Sequence, residues 1–173
     1  MMMIKRYLAL LTALPALLLT ADLHHDVLKA VSTFKTSDPS MEKFFDASAG
    51  YAVFPGVTKG AVGVGAAHGD GEVIVHGAVI GTTSLTQVTV GAQLGGQQYS
   101  EIIFFDSKDA LESFKGGHFT MAAQVSAVAA AEGASANAKY SQGVAVFTVA
   151  KGGLMYEASI GGQKFSFHPK ETS

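Results

Sequence analysis

The chain has 173 residues, with 12 basic side chains, 14 acidic side chains and no cysteine, which is enough for one domain with a sizeable core. Nucleic-acid affinity depends mainly on clustered Lys and Arg, so this charge balance argues against a nucleic-acid partner. The missing cysteine excludes disulfides, a thiol nucleophile and the lipidated cysteine of a bacterial lipoprotein.

The first segment, Met1–Ala21, has the pattern of a secretory signal peptide: a basic pair, an apolar run and a small residue at its end. A retained membrane anchor is the alternative. The apolar run is shorter than the roughly 20 residues needed to span a bilayer, and Pro15 interrupts it. Loss of Lys5 and Arg6 with this leader lowers the basic count from 12 to 10 against 14 acidic residues. We therefore predict cleavage near Ala21 and a periplasmic or secreted mature chain of residues 22–173.

Two helices are predicted over about residues 22–46. Asp22–Phe34 carries apolar residues at helical spacing. Ser37-Asp38-Pro39 is a helix start signal, with Pro39 in the first turn. The second, short helix has Met41, Phe44 and Phe45 on its buried side.

From Tyr51 onward, short alternating runs broken by glycine predict antiparallel strands in a β-rich core of about residues 50–168. One strand carries only small residues on one face, at Ala61, Gly63, Gly65 and Ala67. Such a face admits a helix, another backbone or an acyl chain, and tight internal packing is the plainer explanation. Gly69–Gly71 is predicted as a hairpin turn. Ile102–Phe105 is apolar on both faces, which indicates a central strand.

A third helix is predicted over Ser107–Lys115, capped by Asp106 or Ser107 and ended by Gly116-Gly117. The alanines of Phe119–Ala131 favour helix by propensity, but the alternation of its side chains favours a strand. We predict a strand here, followed by a loop over Glu132–Ala136.

A short sequence motif occurs twice in the chain. Its first copy is Ala52-Val53-Phe54, followed by Lys59-Gly60, and its second copy is Ala145-Val146-Phe147, followed by Lys151-Gly152. This similarity suggests two related three-stranded units, and chance reuse of short words explains it equally well. We predict an α+β fold in which an antiparallel, strongly curled or barrel-like sheet carries the N-terminal helices and one further short helix.

Several segments, taken in order, resemble the SYLF domain family. They are Phe54-Pro55, Lys59-Gly60, Gly63–Gly65, Thr89–Gln97, Glu101–Phe105, Asp109–Phe114 and Tyr140–Phe147, within Asp46–Phe167. The resemblance implies phospholipid binding and, in a fungal branch, actin binding. It also implies a strand near Phe119 and a family lysine at Lys59.

The sequence departs from the family in two ways. The helix with Lys29 lacks the dense basic patch of eukaryotic relatives. Near Gly81–Leu85, the sequence GTTSL stands where the family often has a tryptophan-containing motif.

Lys59 and Lys151 are the candidate anion-binding residues. Each precedes glycine at a predicted turn, where a phosphate meets an ammonium and free backbone N–H groups together. An ordinary solvated hairpin lysine is the plainer interpretation of either residue alone. With Gly60, Tyr51 and Phe54, they form the predicted lipid-binding set.

Catalysis finds little support, since no serine lies in a G-x-S-x-G setting. The adjacent pair His24-His25 points to different sides of a helix, which disfavours a metal site. His68 and His76 flank the predicted turn without forming an evident site. We predict no catalytic residue, metal or cofactor.

Charged residues make up only 15% of the chain, against about 25% in typical soluble domains. A surface of low charge suits a protein that meets lipid or another subunit, although a compact Gly/Ala-rich domain shows the same figure without a partner. We predict a non-catalytic phospholipid-binding protein of the cell envelope or secreted space, attached peripherally to a membrane surface. The alternative is a structural, self-associating envelope protein that forms a homo-oligomer. Actin is an unexpected partner in that compartment.

Overall fold

The computed structural model describes residues 4–62, 64–90, 97–121, 126–151 and 158–171. Its helices are α1 (Ile4–Ser37), α2 (Glu42–Ala47) and α3 (Lys108–Lys115), with a single 3-10 turn at Pro39–Met41. Its strands are β1 (Gly50–Val62), β2 (Val64–Val75), β3 (Ala78–Val90), β4 (Gln97–Phe105), β5 (Ser126–Ala129), β6 (Val144–Ala150), β7 (Ala158–Ser159) and β8 (Lys164–Pro169).

In the described residues, seven strands form one sheet in the order β5-β6-β4-β1-β2-β3-β8, and the two-residue β7 pairs with the outer side of β5. All neighbours are antiparallel except β5 and β6. The predicted α+β class and antiparallel sheet are confirmed. The predicted strongly curled or barrel-like form is wrong, because the sheet of the described residues has an open strand order that ends at β8 and is not closed. Next to β8, Thr120 forms an isolated bridge with Lys164, and Met121 exchanges backbone hydrogen bonds with Gln163 and Gly162.

The sheet separates two apolar clusters. On one face, Val27, Phe34 and Phe44 of the N-terminal helices cluster with the sheet residues Ile102 and Phe104. On the other face, α3 contributes Leu111 and Phe114 to a cluster that contains Ile103 and Phe105. β4 lies between β1 and β6 and is buried on both faces. This position explains the continuous apolar run that predicted a central strand.

The predicted helices and their caps are confirmed. Asp38 caps the 3-10 turn by accepting a hydrogen bond from the Ser40 amide at 3.1 Å, and Pro39 occupies the first position. Ser107 caps α3 by accepting from the Ala110 amide at 3.3 Å. Gly117, with a φ of +71°, follows the end of α3 in the left-handed conformation that glycine favours.

α1 is longer than predicted, because it begins at Ile4 and continues without a break to Ser37. It thus crosses the predicted cleavage position at Ala21. Among the helices of the described residues, none combines the length and the apolar character needed to cross a bilayer. Removal of the leader stays a prediction.

The strand predicted in Phe119–Ala131 is present as β5, and it pairs with β6 through Val128 and Ala129. Thr120 makes the isolated bridge to β8 described above. The intervening residues 122–125 lie outside the described part of the chain. For the described residues of this segment, the alternation of side chains therefore predicted the structure better than the propensity of its alanines.

The predicted turn at Gly69–Gly71 is wrong, because β2 runs through it to Val75. The turn lies instead at His76-Gly77, where φ is +49° and +78°. Gly69 and Gly71 of β2 allow the backbone of β1 to approach closely. A Cβ at Gly71 would collide with the carbonyl oxygen of Val53, and a Cβ at Gly69 would lie 3.0 Å from that of Gly56.

The small-residue strand and the proposed repeat have different outcomes. Ala67 is buried in the core cluster on the α3 face, as the tight-packing explanation expects, while Gly63 lies outside the described residues. β1, β2 and β3 pair in succession, whereas the described residues of β6, β7 and β8 do not pair with one another. Among the described residues, these pairings favour chance similarity over two related three-stranded units.

Candidate functional site

Lys59 does not occupy a turn. It lies within β1, opposite Ala67 of β2 and Gln97 of β4, and only 6% of it is exposed. The predicted turn is wrong because β1 continues to Val62. Burial lowers the pKa of Lys59, since removal from water disfavours the ammonium. The next residue, Gly60, is exposed and has open space where a Cβ would stand.

The two aromatic residues of the predicted lipid-binding set belong to the core. Phe54 is completely buried, with its ring centroid 5.8 Å from that of Phe165 on the α3 face. Tyr51 is half-buried on the opposite face, edge-on to Phe45 at 5.2 Å. Burial raises the pKa of the Tyr51 phenol. These rings point to opposite sides of the sheet, so the structure does not bring the predicted set together.

Lys151 is the member of that set that presents its charge at the surface. It follows the last residue of β6, and its backbone N–H donates to the Gln98 carbonyl oxygen at 2.9 Å. Its side chain is exposed. A Cβ at Gly56 would lie 3.4 Å from the Lys151 Nζ, so the ammonium lies over the irregular part of β1.

Lys151 lines a groove of about 280 Å³ between α1 and the sheet, which we call the α1 groove. Its wall on α1 is formed by residues that share one side of the helix because they are three or four positions apart. The lining consists of Asp26, Lys29, Ala30 and Thr33 on α1 and Pro55, Ser100, Val149, Ala150 and Lys151 on the strand side.

The base of the α1 groove is held by hydrogen bonds within the fold. The Ser100 hydroxyl donates to the Pro55 carbonyl oxygen at 2.8 Å and is buried, which fixes β4 against the irregularity of β1. On the opposite wall, the Thr33 hydroxyl donates to the Lys29 carbonyl oxygen at 2.9 Å. The groove is therefore formed by ordered backbone, and its long charged side chains provide the adaptable part.

The charged side chains of the α1 groove have no ion-pair partner among the residues that the structure describes. Within the described chain, Asp26, Lys29 and Lys151 form no ion pair. Elsewhere, Lys35 pairs with Glu42 at 3.1 Å. Two ammonium groups and one carboxylate in a concave surface can bind a ligand that carries a phosphate.

Lys29 is the residue that the sequence analysis missed. In the sequence, Lys29 belongs to a predicted helix with mixed charges and no dense basic patch. The helical spacing of Asp26, Lys29 and Thr33 does show that they share one side of α1. No signal in the sequence, however, brings that side next to Lys151.

A second polar cluster lies inside the fold, on the α3 face. Glu101 is fully buried, and its Oε2 accepts a hydrogen bond from the Gln163 Nε2 at 2.9 Å. Burial raises the pKa of Glu101 to about 7, although the hydrogen bond from Gln163 acts in the opposite direction. Burial, followed by the charge of Glu101, also raises the pKa of Tyr99. In the described part of the chain, no group of His, Cys, Asp and Glu is arranged to hold a metal ion.

The protein is thus an α+β domain with a mostly antiparallel sheet, helices on both faces and a charged groove where α1 meets the strands. The family model described as "Ysc84: Las17-binding protein actin regulator" matches residues 86–173, just over half of the chain. The chain belongs to this family, the SYLF family, and the resemblance stated from the sequence is confirmed.

One curated relative is "Beta cell expansion factor A" from Aeromonas veronii, which is 31% identical over 129 residues. The alignment covers 73% of this chain and 49% of the relative. The chain therefore spans about half the length of this relative.

Proposed function

We propose that this protein binds phospholipid surfaces peripherally and without catalysis, through the α1 groove. The observation that carries the proposal is the convergence of Lys29 and Lys151, which approach from separate elements and have no acidic partner in the described residues. Family membership supports a role in lipid binding. Lys59 and Phe54 are not part of this proposal, because their burial keeps them from a membrane surface. The half-buried Tyr51 is left out because its ring packs against Phe45.

The expected strength of this contact follows from the charge. A Lys near an anionic membrane surface contributes on the order of 1 kcal/mol, or about five-fold in affinity. Leu28, next to Lys29 on α1, is 53% exposed and adds an apolar contact of the kind that interfacial helices use. The combination favours reversible attachment that weakens as salt rises.

Co-sedimentation with vesicles over a salt series tests the proposal. The protein should prefer phosphatidylcholine vesicles with added phosphatidylglycerol over phosphatidylcholine alone, and it should dissociate as salt rises. Lys29→Gln and Lys151→Gln should each lose several-fold in affinity. Lys108→Gln, which removes an exposed charge on α3, is the matched control. Equal losses of vesicle affinity in all three variants would show that binding depends on general surface charge, and this result would contradict a site in the groove.

Light scattering without vesicles tests self-association, the alternative function. Val88 on β3 is 72% exposed and is the apolar residue that such contacts would use. A homo-oligomer that binds no vesicles and dissociates on Val88→Ser would favour that alternative. The family description names actin regulation, which we do not propose for this chain because the predicted export separates it from actin.

The proposed location is the cell envelope or secreted space, after removal of residues 1–21. Mass spectrometry of exported protein should find an N-terminus near Asp22, because the basic start, apolar run and Ala21 fit processing. Recovery of the protein with Met1 intact in the membrane fraction would contradict cleavage.

A further inference from the structure

We propose that the α1 groove recognises a zwitterionic headgroup in which a phosphate is joined to a primary amine, as in phosphoethanolamine. This inference rests on the proposed function, since it names the lipid class that the same groove takes. Lys29 and Lys151 provide two cations for the phosphate, and Asp26 provides a carboxylate for the amine.

Asp26 is the residue that distinguishes this headgroup from a simple anion. It lines the same wall as Lys29, three positions earlier on α1, yet the two side chains do not form an ion pair. A ligand with phosphate alone would place negative charge beside this carboxylate without compensation. A ligand that also carries an ammonium satisfies both signs of charge in the groove.

The size of the α1 groove fits a headgroup better than an acyl chain. Its volume of about 280 Å³ lies just below the roughly 300–1,000 Å³ that small-molecule sites occupy. Ala30, Pro55, Val149 and Ala150 give it small apolar walls, which suit the two-carbon link between amine and phosphate. The acyl chains then remain in the membrane.

The lining also favours a primary amine over choline. A primary ammonium donates three hydrogen bonds, and the Asp26 carboxylate and the Thr33 hydroxyl oxygen both accept. A trimethylammonium donates none, and proteins bind it mainly through the faces of aromatic rings. The described residues that line the groove include no aromatic side chain. Phosphatidylethanolamine should therefore bind more tightly than phosphatidylcholine.

Vesicle binding by the full chain tests this preference at constant surface charge. Phosphatidylcholine vesicles are compared with vesicles that contain phosphatidylethanolamine, both of which are electrically neutral. We expect several-fold tighter binding to the second kind. Asp26→Asn should remove this difference and keep binding to phosphatidylglycerol vesicles, while Asp46→Asn on α2 should behave like the wild type. Packing changes caused by phosphatidylethanolamine do not depend on Asp26, so the variant separates headgroup recognition from packing.

Soluble headgroups distinguish a lipid from a free compound. O-phosphoethanolamine should displace the protein from phosphatidylethanolamine vesicles at concentrations at which phosphocholine and inorganic phosphate do not. Equal binding to the two neutral vesicles, with phosphatidylglycerol binding intact, would overturn this inference and leave the proposed function standing. Binding of soluble O-phosphoethanolamine without binding of any vesicle would support the headgroup chemistry and overturn the proposed function.

Discussion

The buried carboxylate of Glu101 accepts a hydrogen bond from the side-chain amide of Gln163 at 2.9 Å. This contact connects the central strand β4 to the turn that precedes β8. In the described structure, the Oε1 of Glu101 has no hydrogen-bond partner, and neither has the hydroxyl of Thr148, its neighbour across the β4–β6 ladder. With a pKa of about 7, Glu101 changes its charge near neutral pH.

The first prediction is that Glu101 makes the protein less stable as pH rises. The pKa of Glu101 is about 7 in the folded state, against 4.5 for an ordinary Glu carboxyl, so between these values the folded protein keeps a proton that the unfolded chain has lost. The contribution of Glu101 to the free energy of unfolding is fully present below about pH 4.5 and is lost as pH rises to about 7. The total change is on the order of 3 kcal/mol. Chemical denaturation between pH 4.5 and 8 measures the slope of the free energy of unfolding against pH.

Glu101→Gln should remove that part of the slope and unfold at higher denaturant concentration than the wild type at pH 8. Glu112→Gln, at an exposed position on α3, is the control and should keep the slope of the wild type. If Glu101→Gln and the wild type show the same dependence on pH, Glu101 does not titrate in this range.

A second prediction concerns Lys59, which the sequence placed in the lipid-binding set. Lys59→Met keeps the length of the side chain and removes an ammonium that is held in a desolvated position. The melting temperature should stay the same or rise, and affinity for anionic vesicles should not change. Calorimetry and co-sedimentation measure the two effects, with Lys151→Gln as the positive control for binding. A several-fold loss of vesicle affinity in Lys59→Met would return Lys59 to the site.

A third prediction is that Asp38 joins the N-terminal helices to the loop before β6. Its carboxylate accepts backbone hydrogen bonds from Ser40 at 3.1 Å, Gly133 at 3.2 Å and Ser135 at 2.6 Å. Asp38→Ala should lower the free energy of unfolding by about 2–4 kcal/mol, because three backbone donors, among them the buried Ser135 amide, lose a charged partner. Urea denaturation measures this loss, and Asp46→Ala on α2 is the control. A change below about 0.5 kcal/mol, as at an ordinary surface position, would show that the donors find other partners.

The same residue should limit stability in acid. Burial acts to raise the pKa of Asp38, but hydrogen bonds from Ser40 and Ser135 outweigh it, so the pKa lies below the usual value. Its contribution is present above the unfolded pKa of about 3.9 and is lost as pH falls through the lower folded value. This pH range lies below the one in which Glu101 titrates. Asp38→Asn should therefore reduce the pH dependence of the free energy of unfolding in acid and leave the dependence near neutral pH unchanged.

A fourth prediction compares two glycines of the β1–β2 pair. Gly71→Ala should destabilise the protein by about 2 kcal/mol or more, because the new methyl group would collide with the Val53 carbonyl oxygen. Gly60→Ala adds the same group where nothing lies within 4 Å, so it should be close to neutral. The difference in denaturation midpoint between the variants is the measurement. Equal midpoints would show that β1 can move away from β2 at Gly71.

Much of the local structure could be predicted because its causes lie close together in the chain. The Asp38-Pro39 and Ser107 caps act within three residues, and the alternation of β5 is read over a few positions. The doubly apolar run of β4 follows from its burial on both faces. The ordered motifs were also sufficient to identify the family.

The sequence by itself therefore determined the helices, the central strand, the α+β class and the family. The tertiary structure decided what the glycines and lysines do. Gly71 resembled a turn residue, but the approach of β1 makes it a site of close packing within β2. Lys59 and Lys151 have similar neighbours in sequence, yet strand pairing encloses Lys59, while the end of β6 leaves Lys151 beside α1. Burial and the convergence of Lys29 with Lys151 arise from contacts between distant segments, which no local pattern of residues encodes.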